Sequence, residues 1–251
     1  MAELALVMPM AGRGSRFSTA GEPTPKPLVE IAGRPFFWWA TESVLRGAQV
    51  REIVFVVLEE HVANHGIDQA IGRYYPDARI VVIAEPTSGA AETGAIGVAA
   101  LAGDGPIAIN DCDHAFRAPG LSDLVDALSS GAAGGLVGFA SDDPAYSFVR
   151  LAEQDPTRVL ETVEKQRVGP FAIAGCYLFR DQPTFAAALK RYRETCSYAE
   201  LFVSGLYNVL CEEGELVRFQ PLERHISFGT PSELARVSPE ALQGLFVEPS
   251  A

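Results

Sequence analysis

Ala5-Leu6-Val7-Met8-Pro9-Met10-Ala11-Gly12-Arg13-Gly14-Ser15-Arg16-Phe17 is the stretch on which the fold of this chain turns. Residues 5–9 are continuously apolar, which suits a short strand buried on both faces. Two glycines follow at once. Glycine lets a backbone turn tightly and aim its N–H groups at an anion, and Arg16 adds a planar fork for phosphate oxygens. The loop is not a Walker A motif, because no Gly-Lys-Ser/Thr follows. It is not a dinucleotide fingerprint either, because the third glycine is missing.

Outward from this loop, buried strands and helices alternate. The patterning predicts a helix over 36–47, a strand over 52–58, a helix over 60–75 and a strand over 78–84. It continues with a helix over 90–101, a strand over 106–110, a helix over 121–130 and a strand over 135–141. This rhythm belongs to a parallel sheet covered on both faces. After residue 145 it changes: 147–151, 159–163 and 172–179 read as closely spaced strands, a β-rich insertion or hairpin layer beside the main sheet. Helices over 184–193 and 198–211, a strand over 215–221 and a closing helix from 231 complete the chain. The expected fold class is α/β, a three-layer Rossmann-like mixed, mostly parallel sheet with helices on both faces and a small β-rich insertion. The expected organisation is one domain, 1–251, in two parts, 1–145 and 146–251.

Composition excludes several classes. Apolar residues make up 48% of the 251, enough for a large core. The net charge of −12, without a basic stripe, argues against nucleic acid and anionic membrane as partners. No apolar run approaches the ~20 residues of a membrane helix. The apolar N-terminus carries Glu3 and no basic region, so it reads as a first strand rather than a signal peptide. Cys112, Cys176, Cys196 and Cys211 form no CxxC pair and read as reduced, buried thiols of a cytoplasmic protein. His61 and His65, four apart on a helix, lack a third ligand and read as surface histidines.

In open α/β sheets, ligands bind at the carboxyl ends of the strands. The polar, glycine-rich segments 11–27, 85–93 and 110–114 fall there. Pro25-Lys26-Pro27 stiffens the backbone around one lysine, a rigid cation suited to a leaving pyrophosphate. Glu85-Pro86-Thr87-Ser88-Gly89-Ala90 offers small residues that a flat base can approach. Asp111 and Asp113, spaced i, i+2 at a strand end, can aim hard oxygen ligands at one Mg²⁺.

Gly12-x-Gly14-Ser15-Arg16, Pro25-Lys26-Pro27 and Leu28-Val29-x-Ile31-x-Gly33-Arg34-Pro35 together resemble the signature of the sugar-phosphate nucleotidyltransferase family, with its GT-A-like fold. The resemblance extends, through weaker motifs, over nearly the whole chain. It implies NMP transfer from an NTP to a sugar phosphate or similar small phosphorylated acceptor, with Mg²⁺ as cofactor and pyrophosphate as product. Such reactions make nucleotide sugars, including capsule and cell-surface precursors. The resemblance places the nucleotide against Ala11, Gly12, Gly14, Ser15, Glu85, Gly89 and Ala90, and charge neutralisation on Arg16 and Lys26. Asp113 aligns with the family's metal aspartate. Glu164 and Lys165, with Gly175 downstream, match the motif that holds acceptor hydroxyls and phosphate; Lys165 is thereby also a catalytic candidate.

One departure stands out. In His225-Ile226-Ser227-Phe228-Gly229-Thr230-Pro231, Ser227 occupies the place of the family's second metal aspartate. Asp111 is then expected to supply the missing charge. Two other readings remain: a nucleotide-sugar-dependent glycosyltransferase of GT-A type, for which Asp111-x-Asp113 would be the metal motif, and a catalytically inactive nucleotide-binding homologue. The residue pattern leaves the base, the acceptor and any homo-oligomeric state open.

Overall fold

The structure, a computed structural model, describes residues 2–246. Met1 of the expected first strand, like residues 247–251, lies outside them. Nine strands form one sheet: β1 (Leu4–Pro9), β4 (Val50–Leu58), β5 (Arg79–Ile83), β6 (Ile107–Asn110), β8 (Gly134–Ala140), β9 (Phe148–Ala152), β10 (Asp155–Val163), β11 (Phe171–Phe179) and β12 (Val217–Pro221), in the order β5-β4-β1-β6-β11-β8-β12-β10-β9. Short strands β2 (Glu30–Ile31) and β3 (Arg34–Pro35) pair with each other, as do β7 (His114–Arg117) and β13 (Arg224–Ser227).

The continuous apolar runs are explained by burial on both faces, since successive side chains of a strand point to opposite sides. Ala5 and Val7 of β1 enter one core cluster with Val54, Val56, Ile107 and Ile109; Leu4, Leu6 and Met8 enter the other with Phe55, Val57 and Ala108. Helices α5 (Ala90–Ala99), α7 (Gln182–Thr195) and α8 (Gly205–Glu212) cover the first face. Helices α2 (Phe36–Leu45), α4 (Ile67–Tyr74) and α6 (Leu121–Ser129) cover the second. The remaining helices are α1 (Ser15–Thr19), α3 (Glu59–His65), α9 (Pro231–Leu234) and α10 (Pro239–Gln243). None of the described helices is long and apolar enough to cross a membrane.

Three expectations need correction. The strand-rich segment forms no separate layer. β11 lies in mid-sheet, antiparallel to both β6 and β8, and the β9–β10 hairpin extends the sheet to its edge. The helix expected over 60–75 is broken at Gly66, which adopts φ 61° between α3 and α4. The helix expected from Tyr198 starts only at Gly205, and the preceding residues form a loop that reaches the cleft.

A third, smaller cluster positions that cleft. Phe17 of α1, Val29, Ile31 and Phe36 pack with Ala115 of β7, Phe228, Leu242 and Leu245. The Phe36 and Phe228 rings lie 4.5 Å apart. The glycine loop and the segment after β13 are thus fastened to the same apolar plug, although more than 200 residues separate them.

Candidate active site

The cleft opens at the carboxyl ends of β1 and β6, with a volume of about 380 Å³. Gly12, Gly14, Ser15 and Arg16 line it from one side, and Asp111 and Asp113 from the other. Lys26 spans it. The single turn from Lys26 to Leu28, flanked by Pro25, directs its ammonium onto the Asp113 carboxylate as an ion pair. Arg16, Lys26 and both aspartates therefore share one cavity.

Electrostatics separate the two aspartates. Burial disfavours charge on Asp113, but the Lys26 ammonium and its hydrogen bond outweigh that and hold the carboxyl below its ordinary range. Burial likewise works against the Lys26 charge, and Asp113, Cys112 and Asp111 together keep it raised. Asp111 is pushed up to about 7, by burial first and then by the charges of Asp113 and Glu164, against a smaller opposing effect of Lys26. No hydrogen bond or ion pair to the Asp111 carboxylate exists among the described residues. Its backbone N–H donates to the Gly175 carbonyl at 2.9 Å.

Gly175 lies against Asp111. It adopts φ 68°, and a Cβ there would lie 2.8 Å from Asp111 Oδ2. Its missing side chain makes room for the Asp111 carboxylate. Gly229 does the same for Asp113, whose Oδ2 lies 2.5 Å from where a Cβ would be. The Phe228 N–H also donates to the Asp113 carbonyl at 3.0 Å.

His114, beside this pair, is buried, with Nε2 3.1 Å from Asn110 Oδ1 and Nδ1 3.3 Å from His225 Nε2. Burial pushes it down to about 4, against the opposing charge of Asp113.

The loop from Pro86 to Ala90 borders a neighbouring cavity of about 270 Å³, also lined by Ala11, Gly12, Arg13 and Thr93. Ala90 borders both cavities. Gly89 packs on the main chain of Leu201, whose N would be 2.6 Å from a Gly89 Cβ. Glu85 is exposed and lines neither cavity, because the chain has already turned outward after β5.

On the other side, Glu164 accepts hydrogen bonds from Ser147 Oγ at 2.6 Å and from Ser204 Oγ. Lys165 adopts φ 53°, is exposed, and sets its ammonium 5.7 Å from the centroid of the Phe202 ring, which lines the cleft. Ser227 does not reach toward Asp113. Its hydroxyl donates to Glu233 Oε1 at 2.8 Å, beside the Tyr146 hydroxyl at 2.6 Å.

Over residues 6–174 the sequence matches the MobA-like NTP transferase domain. The chain belongs to that family. As an NTP transferase it is an enzyme of the nucleotidyltransferase type and moves NMP. No curated protein matches it in sequence. Solved structures share the fold. A nucleoside-diphosphate-sugar pyrophosphorylase from Vibrio cholerae RC9 is 24% identical, with a TM-score of 0.78 over 92% of this chain and 98% of that one. The inositol-1-phosphate CTP transferase from T. maritima is 15% identical, with a TM-score of 0.70 over 99% and 98%.

Several residues of this NTP transferase's cleft were not singled out from sequence. Arg13, Glu200 and Phe202 line the cavities, and Ser147 and Ser204 hold Glu164. Arg13 sits between the two glycines already noted, so local context could have flagged it. Glu200 and Phe202 lie in a segment patterned like a helix, and nothing local marks Ser147 or Ser204. His61 is buried rather than on the surface, its Nδ1 without a hydrogen-bond partner, and no group of three metal-ligating side chains occurs among the described residues. Cys112 and Cys176 are buried as expected, while Cys196 and Cys211 are partly exposed; all four are free thiols.

Proposed function

We propose that this chain transfers NMP from an NTP to a sugar phosphate or similar small phosphorylated acceptor and releases pyrophosphate, with Mg²⁺ as cofactor. The observation that carries the reading is the convergence of Arg16, Lys26, Asp111 and Asp113 on one cleft at the strand ends. A triphosphate needs several cationic contacts in one place, and a plain strand-to-helix turn does not.

The acceptor phosphate is already ionised at neutral pH, so the reaction needs no general base. One of its oxygens forms a bond to the α-phosphorus as the bond to pyrophosphate breaks, and the electron pair leaves with the pyrophosphate. Catalysis of this kind is positioning and charge neutralisation. Arg16 and Lys26 hold the β- and γ-phosphates and steady the leaving group. Glu164, oriented by two serine hydroxyls, accepts hydrogen bonds from acceptor hydroxyls, and Lys165 steers the acceptor phosphate. In this division, residues 1–145 serve the nucleotide and 146–251 the acceptor.

The donor set fits a hard divalent ion. Asp111 and Asp113 offer carboxylate oxygens, and the Asp111 carboxylate is left unpartnered in its Gly175 cradle. These two residues would hold Mg²⁺, which supplies charge neutralisation of phosphate oxygens when bound. Asp111 in this way takes over from the carboxylate that Ser227 lacks. The free thiols support a reducing, cytoplasmic setting.

A matrix of NTPs against phosphorylated acceptors, read by pyrophosphate release with and without Mg²⁺, tests the proposal. Metal-dependent release with at least one pair is the expected result. Nucleotide binding without release on any acceptor would favour an inactive homologue, and sugar transfer from a nucleotide sugar would favour a glycosyltransferase.

A further inference from the structure

We infer that Glu200 grips the ribose of the incoming nucleotide, so that the chain selects ribonucleoside over 2′-deoxyribonucleoside triphosphates; this rests on the function proposed above. The cleft consists of two adjoining cavities. The larger carries the phosphate-directed Arg16 and Lys26. The smaller, about 270 Å³, is walled by the small residues from Pro86 to Ala90 and suits a flat base. In any nucleoside triphosphate the pentose joins base to α-phosphate, so it occupies the junction between the two.

The residues common to both linings are Pro9, Gly12, Ala90 and Glu200. Glu200 is the one among them with a hydrogen-bonding side chain. Its carboxylate has no hydrogen bond or ion pair among the described residues. A free carboxylate beside a triphosphate site repels the substrate, so the placement is unfavourable unless substrate donors meet it. A vicinal diol presents two O–H donors that match the two oxygens of one carboxylate. An acidic side chain holds ribose by the same chemistry in dinucleotide-binding sheets.

The main chain fixes Glu200 to the base side of the cleft. Leu201 N donates to the Ser88 carbonyl at 3.3 Å, and Ala91 N donates to the Leu201 carbonyl at 3.0 Å. The Cys196 thiol donates to the Glu200 carbonyl at 3.8 Å. These bonds clasp the main chain of residues 200–201 to the loop that walls the smaller cavity, so the Glu200 side chain starts from a fixed point at the junction.

The test is calorimetry of the wild-type chain and Glu200→Ala with CTP, UTP, GTP and ATP and their 2′-deoxy counterparts, in the presence of Mg²⁺. Glu200 is exposed, so the substitution leaves the core untouched. The wild type is expected to bind its preferred ribonucleotide about tenfold or more tighter than the deoxy form, as loss of a hydrogen bond to a charged group implies. Glu200→Ala should bring the two within about twofold by weakening the ribonucleotide alone. Equal weakening of both forms, an unchanged ratio, or an effect confined to the acceptor KM overturns the assignment. Absence of any nucleotide binding by the wild type overturns the parent function and this role with it.

Discussion

The cleft and the region beside it hold their charges by different means. On the wall proposed for the triphosphate, cation meets anion directly: Lys26, set between two prolines, pairs with Asp113, and Arg16 faces the same space. On the wall proposed for the acceptor, which lies outside the lining of the cleft, carboxylates are held by neutral hydroxyls. Glu164 is held by Ser147 and Ser204, and Glu233 by Tyr146, Ser227 and Thr230. Under the proposed function the contrast follows from what each wall would meet. A triphosphate brings formal charge and needs opposite formal charge. A hydroxyl-rich acceptor needs oriented acceptors, and hydroxyl donors orient a carboxylate without cancelling its charge.

If the walls differ in this way, their variants separate. The largest effect is expected from Asp113→Ala or Lys26→Ala. Removing a group that neutralises charge in the transition state lowers turnover by about 10³-fold, in steady-state pyrophosphate release, with an unchanged circular dichroism spectrum. Turnover within threefold of wild type in either variant would erase the distinction.

Next comes Gly175→Ala, at the glycine that makes room for the Asp111 carboxylate. A side chain at φ 68° costs about 1–2 kcal/mol and would collide with Asp111 Oδ2. Both the urea midpoint of unfolding and the turnover should fall. A fall in turnover alone would mean that the backbone tolerates the change and only the carboxylate has moved.

Glu164→Ala should raise the acceptor KM by about 10- to 100-fold and leave the NTP KM within twofold, since one multiply bonded carboxylate is lost. Ser204→Ala, which removes one of its two hydroxyl props, should raise the acceptor KM several-fold in the same direction. If Glu164→Ala moved both KM values together, the walls would not be separate.

The smallest effect serves as a control away from both walls. Asp181 caps α7 by accepting the Thr184 N–H at 2.8 Å. Burial alone would raise its pKa, but the Thr184 and Arg180 contacts prevail and lower it. A depressed carboxylate contributes stability above its ordinary pKa and loses it as pH falls through the lowered value. Asp181→Ala should therefore cost about 1 kcal/mol at pH 7, shrinking toward zero below about pH 4. Thermal unfolding across pH checks this, and neither KM should change.

Local chemistry made the triphosphate wall legible. The apolar run 5–9, the paired glycines, the proline-flanked Lys26 and the i, i+2 aspartates are each visible within a few residues, and they mark strand ends where ligands bind. Arg16 stands beside a glycine turn, Lys26 between two prolines and the two aspartates at a strand end, so local pattern was enough to name all four. The two-faced burial of β1, β4 and β6 was legible for a similar reason: an unbroken apolar run has few other homes.

For the acceptor wall, the resemblance named Glu164, Lys165 and Gly175, but their contacts came from tertiary structure. The pairing of β7 with β13 joins segments more than 100 residues apart, and it sets Gly229 against Asp113. The Ser204–Glu164 contact bridges 40 residues, and Gly175 faces Asp111 because β11 runs antiparallel beside β6. Sheet order sets each of these meetings, and sheet order results from how all the apolar faces pack at once. A serine, a glycine or an unpaired glutamate carries no local mark of the partner that the fold brings to it.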